Sequence, residues 1–401
     1  MIGGGPAFVE WVVKPSQKRK VLVAAVAAVG LGLAGAGAGM SWAATTRTVK
    51  VGSAAQLKAA LAAAKPGDVI TLAAGTYDGA FFGTASGTAA APITLTGPKT
   101  AILSNTKNGC DPNVPSGRSV TYCGFGFHLN KANFWKLTGF SVKSANKGIV
   151  LDTVTHTVID GVAVSGVRDE GIHFRTSSTD NVLRNSSVRD TGQGQPGFGE
   201  GVYIGSAKSN WAKFGSGANG ADHSDRDTVT GNRIGPGVAA ELIDIKEGTL
   251  NGAITGNTFD GTGVSGANSA DSWIDAKGNN YKINSNKGTG PSGDLDGYQV
   301  HQQVASFGCG NVFSGNISKL SSAGFAINVT DQSKCGTNLN VVGAGNTVTG
   351  QIRPEQHQGH GIGEGRGATG AGQCAARSMP VESWQFRYSK NCWSADATDT
   401  S

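Results

Sequence analysis

A repeat of short alternating segments and asparagine-rich turns most constrains how this 401-residue chain can fold. From about residue 125, a small residue opens segments in which apolar and polar side chains alternate, as in Gly148-Ile-Val-Leu-Asp152 and Gly171-Ile-His-Phe-Arg175. The pattern returns at irregular intervals of roughly 23 to 40 residues. Between these segments lie others that end in turns such as Thr228-Val-Thr-Gly-Asn232. Strict alternation predicts strands with one buried side and one side facing solvent.

The repeat predicts an all-β fold, a right-handed parallel β-helix. Helices do not separate the predicted strands, which disfavours an α/β sheet, and the 62 glycines and short β-branched runs are typical of solenoids. A β-propeller would need a more constant period and a repeated aromatic signature. Stacked asparagines at the corners can bond each other between coils. An amphipathic helix at Ser53–Lys65, with Ser53 as N-cap, is expected to cap the N-terminal end.

The first 43 residues have the composition of a secretory signal peptide. The basic run Lys18-Arg19-Lys20 precedes an apolar stretch at 21–39, and Ser41-Trp42-Ala43 places small residues where signal peptidase reads. A permanent membrane anchor is the alternative, but the Gly and Ala richness of the stretch favours cleavage. We expect a secreted, monomeric protein without stable membrane association. Its parts are a signal peptide at 1–43, a β-helix domain at 44–350 and a C-terminal capping segment at 351–401.

Six cysteines follow the leader, at Cys110, Cys123, Cys309, Cys335, Cys374 and Cys392. An even number in an exported chain favours disulfides, and no Cys/His spacing suggests zinc. Pairing between neighbours in sequence is the simplest of the fifteen connectivities that six cysteines allow, and the sequence does not choose among them.

The net charge says little about the partner. The chain carries +6, and the four basic residues and one acidic residue of the leader account for half of it. No basic block or interleaving of aromatic and basic residues favours nucleic acid. An anionic substrate is compatible with this charge but is not required by it.

Seven alternating segments, aligned on their apolar positions, predict one face with charge at its centre. The inward positions run from Ile149 and Leu151 to Phe325 and Ile327. One outward column comprises Val150, His173, Tyr203, Asp244, Asp275, Gln299 and Ala326, and the other Asp152, Arg175, Gly205, Lys246, Lys277, His301 and Asn328. A third column, two residues before each segment, comprises Glu170, Glu200, Glu241, Ser272 and Asp296.

The cationic column predicts a site because stacking like charges is unfavourable. Neighbouring coils lie about 4.8 Å apart, so Lys246, Lys277 and His301 are expected to form a ladder. Repulsion between the two lysines is expected to lower the pKa of at least one amine, as a catalytic base requires. Purely structural Asp–Lys pairing on a solvent-facing sheet is the alternative.

The stretch Glu241-Leu-Ile-Asp-Ile-Lys246, followed by Gly256-Asn-Thr-Phe259, resembles the β-helix polysaccharide lyases of the chondroitinase B and alginate lyase group. The resemblance implies that Glu241 helps to hold Ca²⁺, that Lys246 is the base, and that Lys277 occupies the position of an arginine on the leaving-group side. Ala239 stands where a second calcium-binding glutamate is expected, and Glu200 could replace it.

The implied reaction is β-elimination on a uronate polysaccharide. Its C5 proton becomes acidic once the adjacent carboxylate is neutralised, a base removes that proton, and the C4 oxygen leaves. Lys246 is expected to be the base and Lys277 the neutraliser or acid. Further residues are expected to contact the sugar or line the groove: Arg175, His173, Tyr203, Asp244, Asp275, His301 and Trp273.

Two other functions stay open at this point. A glycoside hydrolase or an epimerase could use the same fold, and a hydrolase could use Glu241 with Asp244 or Asp275, since it needs two carboxylates about 5–10 Å apart. A non-catalytic carbohydrate-binding or cell-surface β-helix would bind polysaccharide without turnover. Pectate, alginate, glucuronan and glycosaminoglycans all present a uronate to the same chemistry.

Overall fold

The computed structural model describes residues 46–114, 122–215, 220–290, 295–320 and 324–350, together with the backbone of Phe386–Tyr388. The expected signal peptide, Cys374, Cys392 and most of the expected C-terminal cap lie outside the described residues. Among the described residues, no helix has the length and apolar character needed to cross a bilayer.

The described strands form three sheets in which neighbouring strands are parallel. The first sheet comprises Thr48–Val51, Val69–Leu72, Ile93–Thr96, Trp135–Thr138, Val158–Asp160, Val182–Arg184, Thr228–Thr230, Ala253–Thr255, Lys282–Asn284, Val312–Ser314 and Val341–Val342. The second sheet comprises Gly75–Asp78, Ala101–Ser104, Ser141–Lys143, Ala163–Ser165, Ser187–Arg189, Arg233–Ile234, Thr258–Asp260, Lys287–Thr289, Ile317–Leu320 and Thr347–Gly350. The third sheet comprises Phe82–Gly83, Phe125–Asn130, Lys147–Asp152, Ile172–Arg175, Val202–Ile204, Ile243–Ile245, Ser272–Ala276, Asp296–Val300, Ile327–Val329 and Phe386–Tyr388.

The chain visits the three sheets in turn, and one such circuit is a coil of the parallel β-helix, as predicted. The repeat in the sequence predicts two strands per coil, whereas the structure has three. The additional strand is that of the second sheet, which follows the corner directly, as Thr258–Asp260 follows Ala253–Thr255. These strands are as short as two residues, at Arg233–Ile234, so they carry too little alternation to be recognised from sequence.

Asparagines stack at the corner between the first and second sheets. The amide nitrogen of Asn232 donates to the side-chain oxygen of Asn257 at 3.0 Å. The same bond links Asn257 to Asn286 and Asn286 to Asn316, at 3.0 and 3.1 Å. Each of these oxygens also accepts the backbone N–H of the preceding asparagine. The predicted asparagine ladder is therefore confirmed, and it satisfies backbone donors that the turning chain would otherwise bury unpaired.

The interior of the coil is filled by apolar side chains from all three sheets. Trp273 was expected to line the groove, but its side chain is fully buried in this core. Its ring lies against Gly288, where an added Cβ would come within 2.0 Å of it. Gly288 lies in the second-sheet strand Lys287–Thr289, so the Trp273 ring lies between the third and second sheets. A large ring fits there because Gly288 leaves it space.

The register of the third sheet agrees with the prediction from Ile149 to Val300 and then departs from it. Val150 pairs with His173, Tyr203 with Asp244, and Asp244 with Asp275. In the next pair of strands Tyr298 lies opposite Ile327 and Gln299 opposite Asn328, not opposite Phe325 and Ala326 as expected. A shift of two residues keeps every side chain on the same face, so alternation alone cannot distinguish the two registers.

Two other predicted features are present. Helix α1 spans Ala54–Ala62, is capped by the Ser53 side chain, buries Leu57 and Leu61, and contacts the first strand of each sheet. Two of the expected disulfides form, Cys110–Cys123 and Cys309–Cys335. The insertion after Gly205 carries a short helix, α2, at Trp211–Phe214, beside a 3₁₀ turn at Lys208–Asn210. Other 3₁₀ turns occur at Pro196–Phe198 and Ala267–Ser269.

Candidate active site

The predicted cationic ladder forms on the outer side of the third sheet, which we call the charged face. The backbone N–H of Lys246 donates to Ile204, that of Lys277 to Ile245 and that of His301 to Ala276. These bonds continue the parallel pairing one residue beyond the strands, so the three cationic residues stand in consecutive coils. The parallel β-helix thus brings together side chains that are far apart in sequence.

Carboxylates alternate with the cations along this ladder. The Asp244 carboxylate lies 2.5 Å from the Lys246 amine and 2.9 Å from the Lys277 amine. Asp275 lies 2.5 Å from Lys277 and 2.9 Å from the His301 ring. The buried middle of the ladder is therefore internally paired. Its two ends reach the surface, since the Lys246 and His301 side chains are 13% and 33% exposed.

The interleaved carboxylates reverse the expected effect of stacking two lysines. Burial lowers the pKa of the Lys246 amine, but the adjacent Asp244 outweighs burial and leaves that pKa above its ordinary value. Burial also lowers the pKa of Lys277, and Asp244 with Asp275 outweighs it in the same way. Repulsion between the lysines is present but smaller. Both amines are therefore ammonium groups at neutral pH, so the expectation of a depressed lysine pKa is wrong.

The glutamates of the third column form an acidic row beside the ladder. Glu170, Glu200 and Glu241 are all buried. Glu170 is neutralised by Lys147, whose amine bonds one of its oxygens. Burial, together with Glu170 and Asp244, raises the pKa of Glu200 to about 8. Burial and Asp244 likewise raise the pKa of Glu241 well above its ordinary value.

Three carboxylates on the charged face, which we call the acidic triad, lie close enough together to share a cation. Glu200, Glu241 and Asp244 each offer an oxygen, and these atoms lie within 4.8 Å of one another. One oxygen of Glu200 is buried without a hydrogen-bond partner. An all-oxygen donor set with a spare buried oxygen fits a hard divalent cation such as Ca²⁺.

Two aromatic side chains lie next to Lys246 on the charged face. The Lys246 amine lies 5.0 Å from the centre of the Tyr203 ring, and the His173 ring meets that ring edge-on at 4.4 Å. The Nε2–H of His173 donates to the Gly205 carbonyl at 2.8 Å. Burial lowers the pKa of His173 to about 3, so its imidazole is neutral. Burial and Asp244 raise the pKa of Tyr203 well above its ordinary value.

Arg175 is placed differently from the other predicted site residues. Its guanidinium donates to both oxygens of Asp152, at 2.7 and 3.0 Å, and the residue is 1% exposed. It also lies over the rings of Tyr122, Phe125 and Phe214 at 4.2 to 5.4 Å. The structure therefore places Arg175 in a buried cluster at the N-terminal end of the charged face.

His128 belongs to the same cluster and was missed in the sequence. Its two ring nitrogens donate to Asp111 at 2.9 Å and to Asp152 at 2.8 Å. Extending the alignment one strand towards the N-terminus, to Phe125–Asn130, would have found it, because His128 stands opposite Val150.

Comparison with known proteins gives a family. No protein-family model and no curated protein sequence matches the chain. Among solved structures, an alginate lyase from Paenibacillus sp. str. FPU-7 is 38% identical with a TM-score of 0.63, over 77% of this chain and 96% of that chain. Pectate lyase Pel9A is 15% identical with a TM-score of 0.53, over 77% of this chain and 78% of its own.

A third structure, the surface protein and adhesin PfbA of Streptococcus pneumoniae, is 14% identical with a TM-score of 0.52, over 75% of this chain and 81% of its own. At 15% and 14% identity, pectate lyase Pel9A and PfbA show the fold alone. The Paenibacillus structure is similar enough in sequence and coverage to show family membership. The chain is thus a polysaccharide lyase, and it belongs to the right-handed parallel β-helix polysaccharide lyases together with the Paenibacillus enzyme.

Proposed function

We propose that this protein is a secreted lyase that cleaves a uronate-containing polysaccharide by β-elimination on the charged face. The observation that carries the proposal is Lys246, an ammonium at the exposed end of a buried ion-pair ladder and beside Tyr203. The 38% identical relative acts on alginate, which makes alginate the first polymer to test.

The ladder suits the electrostatic demand of the reaction. Removal of the C5 proton builds negative charge onto the uronate carboxylate, and a fixed cation stabilises that charge most in a site that excludes water. Lys246 can supply this cation because Asp244 keeps it protonated. Lys277 is only 6% exposed and forms ion pairs with both Asp244 and Asp275. It fixes the position of Asp244, so we assign it as a positioning residue.

We assign proton transfer to Tyr203 and Lys246. The Tyr203 oxygen takes the C5 proton, the C–H electrons form the C4–C5 double bond, the C4–O bond breaks, and the leaving oxygen takes a proton from Lys246. The Lys246 ammonium over the ring favours the phenolate that this step requires. Because burial raises the pKa of Tyr203, the phenolate is scarce at neutral pH, and kcat/KM is expected to rise with pH.

The other residues that were expected to contact the sugar differ in how exposed their side chains are. His301 lies at the other exposed end of the ladder, where it can meet a sugar carboxylate or hydroxyl. His173 is 4% exposed and supports the Tyr203 ring, while Asp244, Asp275 and Arg175 are committed to ion pairs. We therefore expect His301 to contact substrate directly and the others to act through their neighbours.

A calcium ion fits the acidic triad. Glu200, Glu241 and Asp244 would hold it. A bound ion would supply a further positive charge for the uronate carboxylate.

The decisive experiment is an ultraviolet assay of purified protein on alginate, pectate, glucuronan and glycosaminoglycans, with and without chelator. β-Elimination makes an unsaturated, absorbing product, whereas a hydrolase would release reducing ends without absorbance. No absorbance on any uronate polymer would refute the proposal.

Two substitutions locate the chemistry. Lys246→Ala and Tyr203→Phe should each lower kcat about 10²- to 10⁴-fold, the usual contribution of a proton-transferring side chain. Lys246→Arg should keep part of the activity, because it keeps the charge. Lys282→Ala, which removes an exposed lysine on the first sheet, is the matched control and should leave kcat unchanged.

Secretion is supported by the two disulfides, which persist in oxidising compartments. The mature protein should appear in the culture medium of a secreting host, with an N-terminus near residue 44 by mass spectrometry. Retention of the full-length chain in the cell would contradict this.

A further inference from the structure

The charged face is closed at its N-terminal end. Outward-facing Phe125 and Val150 are covered by Tyr122 and Phe214, and these four residues form an apolar cluster with at most 7% exposure each. The guanidinium of Arg175 lies against three of these rings. In the described part of the chain, a polysaccharide bound at Lys246 therefore finds the outward surface covered on this side. Its continuation lies over the C-terminal coils.

The outward column continues there with two amides. Gln299 stands opposite Asp275 in the next coil, and Asn328 stands opposite Gln299 in the one after. Both amide nitrogens donate to the same oxygen of Asp296, at 2.9 Å from Gln299 and 2.7 Å from Asn328. The other Asp296 oxygen accepts the backbone N–H of Phe325 at 2.5 Å. Since a carboxylate only accepts, Asp296 fixes the orientation of both amides.

This orientation leaves two acceptors without donors. Gln299 Oε1 and Asn328 Oδ1 have no hydrogen-bond partner, although the residues are 4% and 9% exposed. Buried acceptors are nearly always satisfied in native proteins, so an unpaired pair on adjacent coils points to a missing donor. A carboxylate has no hydrogen to donate, and Asp296 would repel it. The missing donor is therefore a neutral or positively charged group.

We propose that Gln299 and Asn328 form a hydroxyl-binding subsite for the polysaccharide, with Asp296 as the positioning residue. The inference rests on the proposed function of the charged face. Ring hydroxyls of a sugar donate to the two amide oxygens. The Gln299 coil lies two coils beyond that of Asp244, roughly 10 Å along the face. The subsite therefore holds a sugar away from the cleaved bond and recognises its hydroxyls, while the uronate carboxylate at that bond meets Lys246.

The test is the dependence of kinetics on oligosaccharide length. Gln299→Met and Asn328→Leu remove the acceptors while keeping similar volume. For uronate oligosaccharides long enough to reach the subsite, each variant should raise KM about tenfold, the loss expected for a hydrogen bond of ordinary strength, with kcat unchanged. For the shortest oligosaccharide that is still cleaved, KM should equal that of the wild type.

Gln302→Met is the matched control, because this amide contacts the Cys309–Cys335 sulfurs instead of the charged face. It should leave KM unchanged at every length, and thermal unfolding should show that all three variants are folded. Unchanged KM in the two test variants, or an equal rise at all lengths, would overturn the proposal. An effect that disappears with chelator would also overturn it, because the acceptors would then hold a cation.

Binding separates failure of the subsite from failure of the proposed function. If the wild type cleaves no uronate polymer, the lyase proposal has failed. Retardation of the protein in gels that contain each polysaccharide then tests the subsite independently. Weaker retardation of Gln299→Met than of Gln302→Met supports the subsite, and equal retardation refutes it.

Discussion

At the residue scale, Asp244 has the largest influence on the site. It accepts from two lysines, contributes to the acidic triad, and raises the pKa of Glu200, Glu241 and Tyr203. One carboxylate between two ammonium groups turns a repulsive stack into an attractive one, because each Asp–Lys contact is shorter than the spacing between coils. The site is therefore cationic at Lys246, which reaches the surface, and acidic at the buried Glu200 and Glu241.

Substitution of Lys277 distinguishes a positioning role from direct catalysis. Lys277→Met should lower kcat about tenfold, well short of the loss for Lys246→Ala, because it loosens Asp244 without removing the cation that meets the substrate. Steady-state kinetics on the active polymer measure both. A loss as large as that of Lys246→Ala, in a folded variant, would mean that Lys277 touches the reacting sugar.

Calcium binding can be tested without activity. If the acidic triad holds Ca²⁺, saturating Ca²⁺ should raise the Tm of the wild type, since a ligand at 100 times its Kd stabilises by about 2.7 kcal/mol. Glu200→Gln should abolish most of that rise, whereas Asp260→Asn on the second sheet should retain it. An equal rise in both variants would place the ion elsewhere.

At the element scale, the strands are too short to be stable alone, and the corner ladders hold them in register. Strands of two to four residues contribute few backbone bonds each, and the asparagine ladder adds side-chain bonds between successive coils. Each ladder amide is buried, so its loss leaves neighbouring donors unpaired.

Asn286→Ala should therefore destabilise the protein by about 1–3 kcal/mol, the cost of unpaired buried groups. The backbone and side-chain N–H groups of Asn257 both lose their acceptor. Urea unfolding measures the change. Lys282→Ala, four residues away and exposed on the outer side of the first sheet, should change stability by no more than about 0.5 kcal/mol. Equal effects would show that the ladder adds nothing beyond the backbone.

At the scale of the whole molecule, stability depends on buried ionic groups at the closed N-terminal end. Burial lowers the pKa of His128, but Asp111 and Asp152 outweigh it and raise that pKa above its ordinary value. Burial raises the pKa of Asp152, but Arg175 and His128 outweigh it and lower that pKa. The contribution of protonated His128 to the free energy of unfolding is complete below about pH 6.5 and is lost as pH rises through the raised pKa of His128. The contribution of ionised Asp152 is complete above about pH 4 and is lost as pH falls through the lowered pKa of Asp152.

The difference in unfolding free energy between the wild type and His128→Gln should thus be largest between about pH 4 and 6.5. Removing one partner of a buried charge pair costs about 3–5 kcal/mol. Denaturant unfolding at a series of pH values measures it. A difference that grows steadily above pH 7 has the wrong sign and would show that His128 is neutral in the folded protein.

Much of the architecture follows from local sequence. Period-two alternation, glycine and asparagine at the corners and the spacing of the cysteines act within a few residues or between neighbouring coils. For that reason the parallel β-helix, its charged face, the asparagine ladder and two disulfides were all predictable. Because side chains alternate between the two faces of a strand, the sequence alone places Lys246, Lys277 and His301 on one face of the third sheet.

Local sequence is therefore sufficient to predict the coil and the columns of side chains on its surface. The role of each column depends on contacts that form only in the folded chain. Whether Arg175 meets solvent depends on the loop and α2 residues that fold over it, and whether Trp273 points inward depends on the space left by Gly288 on another sheet. The pKa values of the lysines depend on side-chain directions, because Asp244 lies between them. These are contacts between coils and loops distant in sequence, and a pattern of period two carries no information about them.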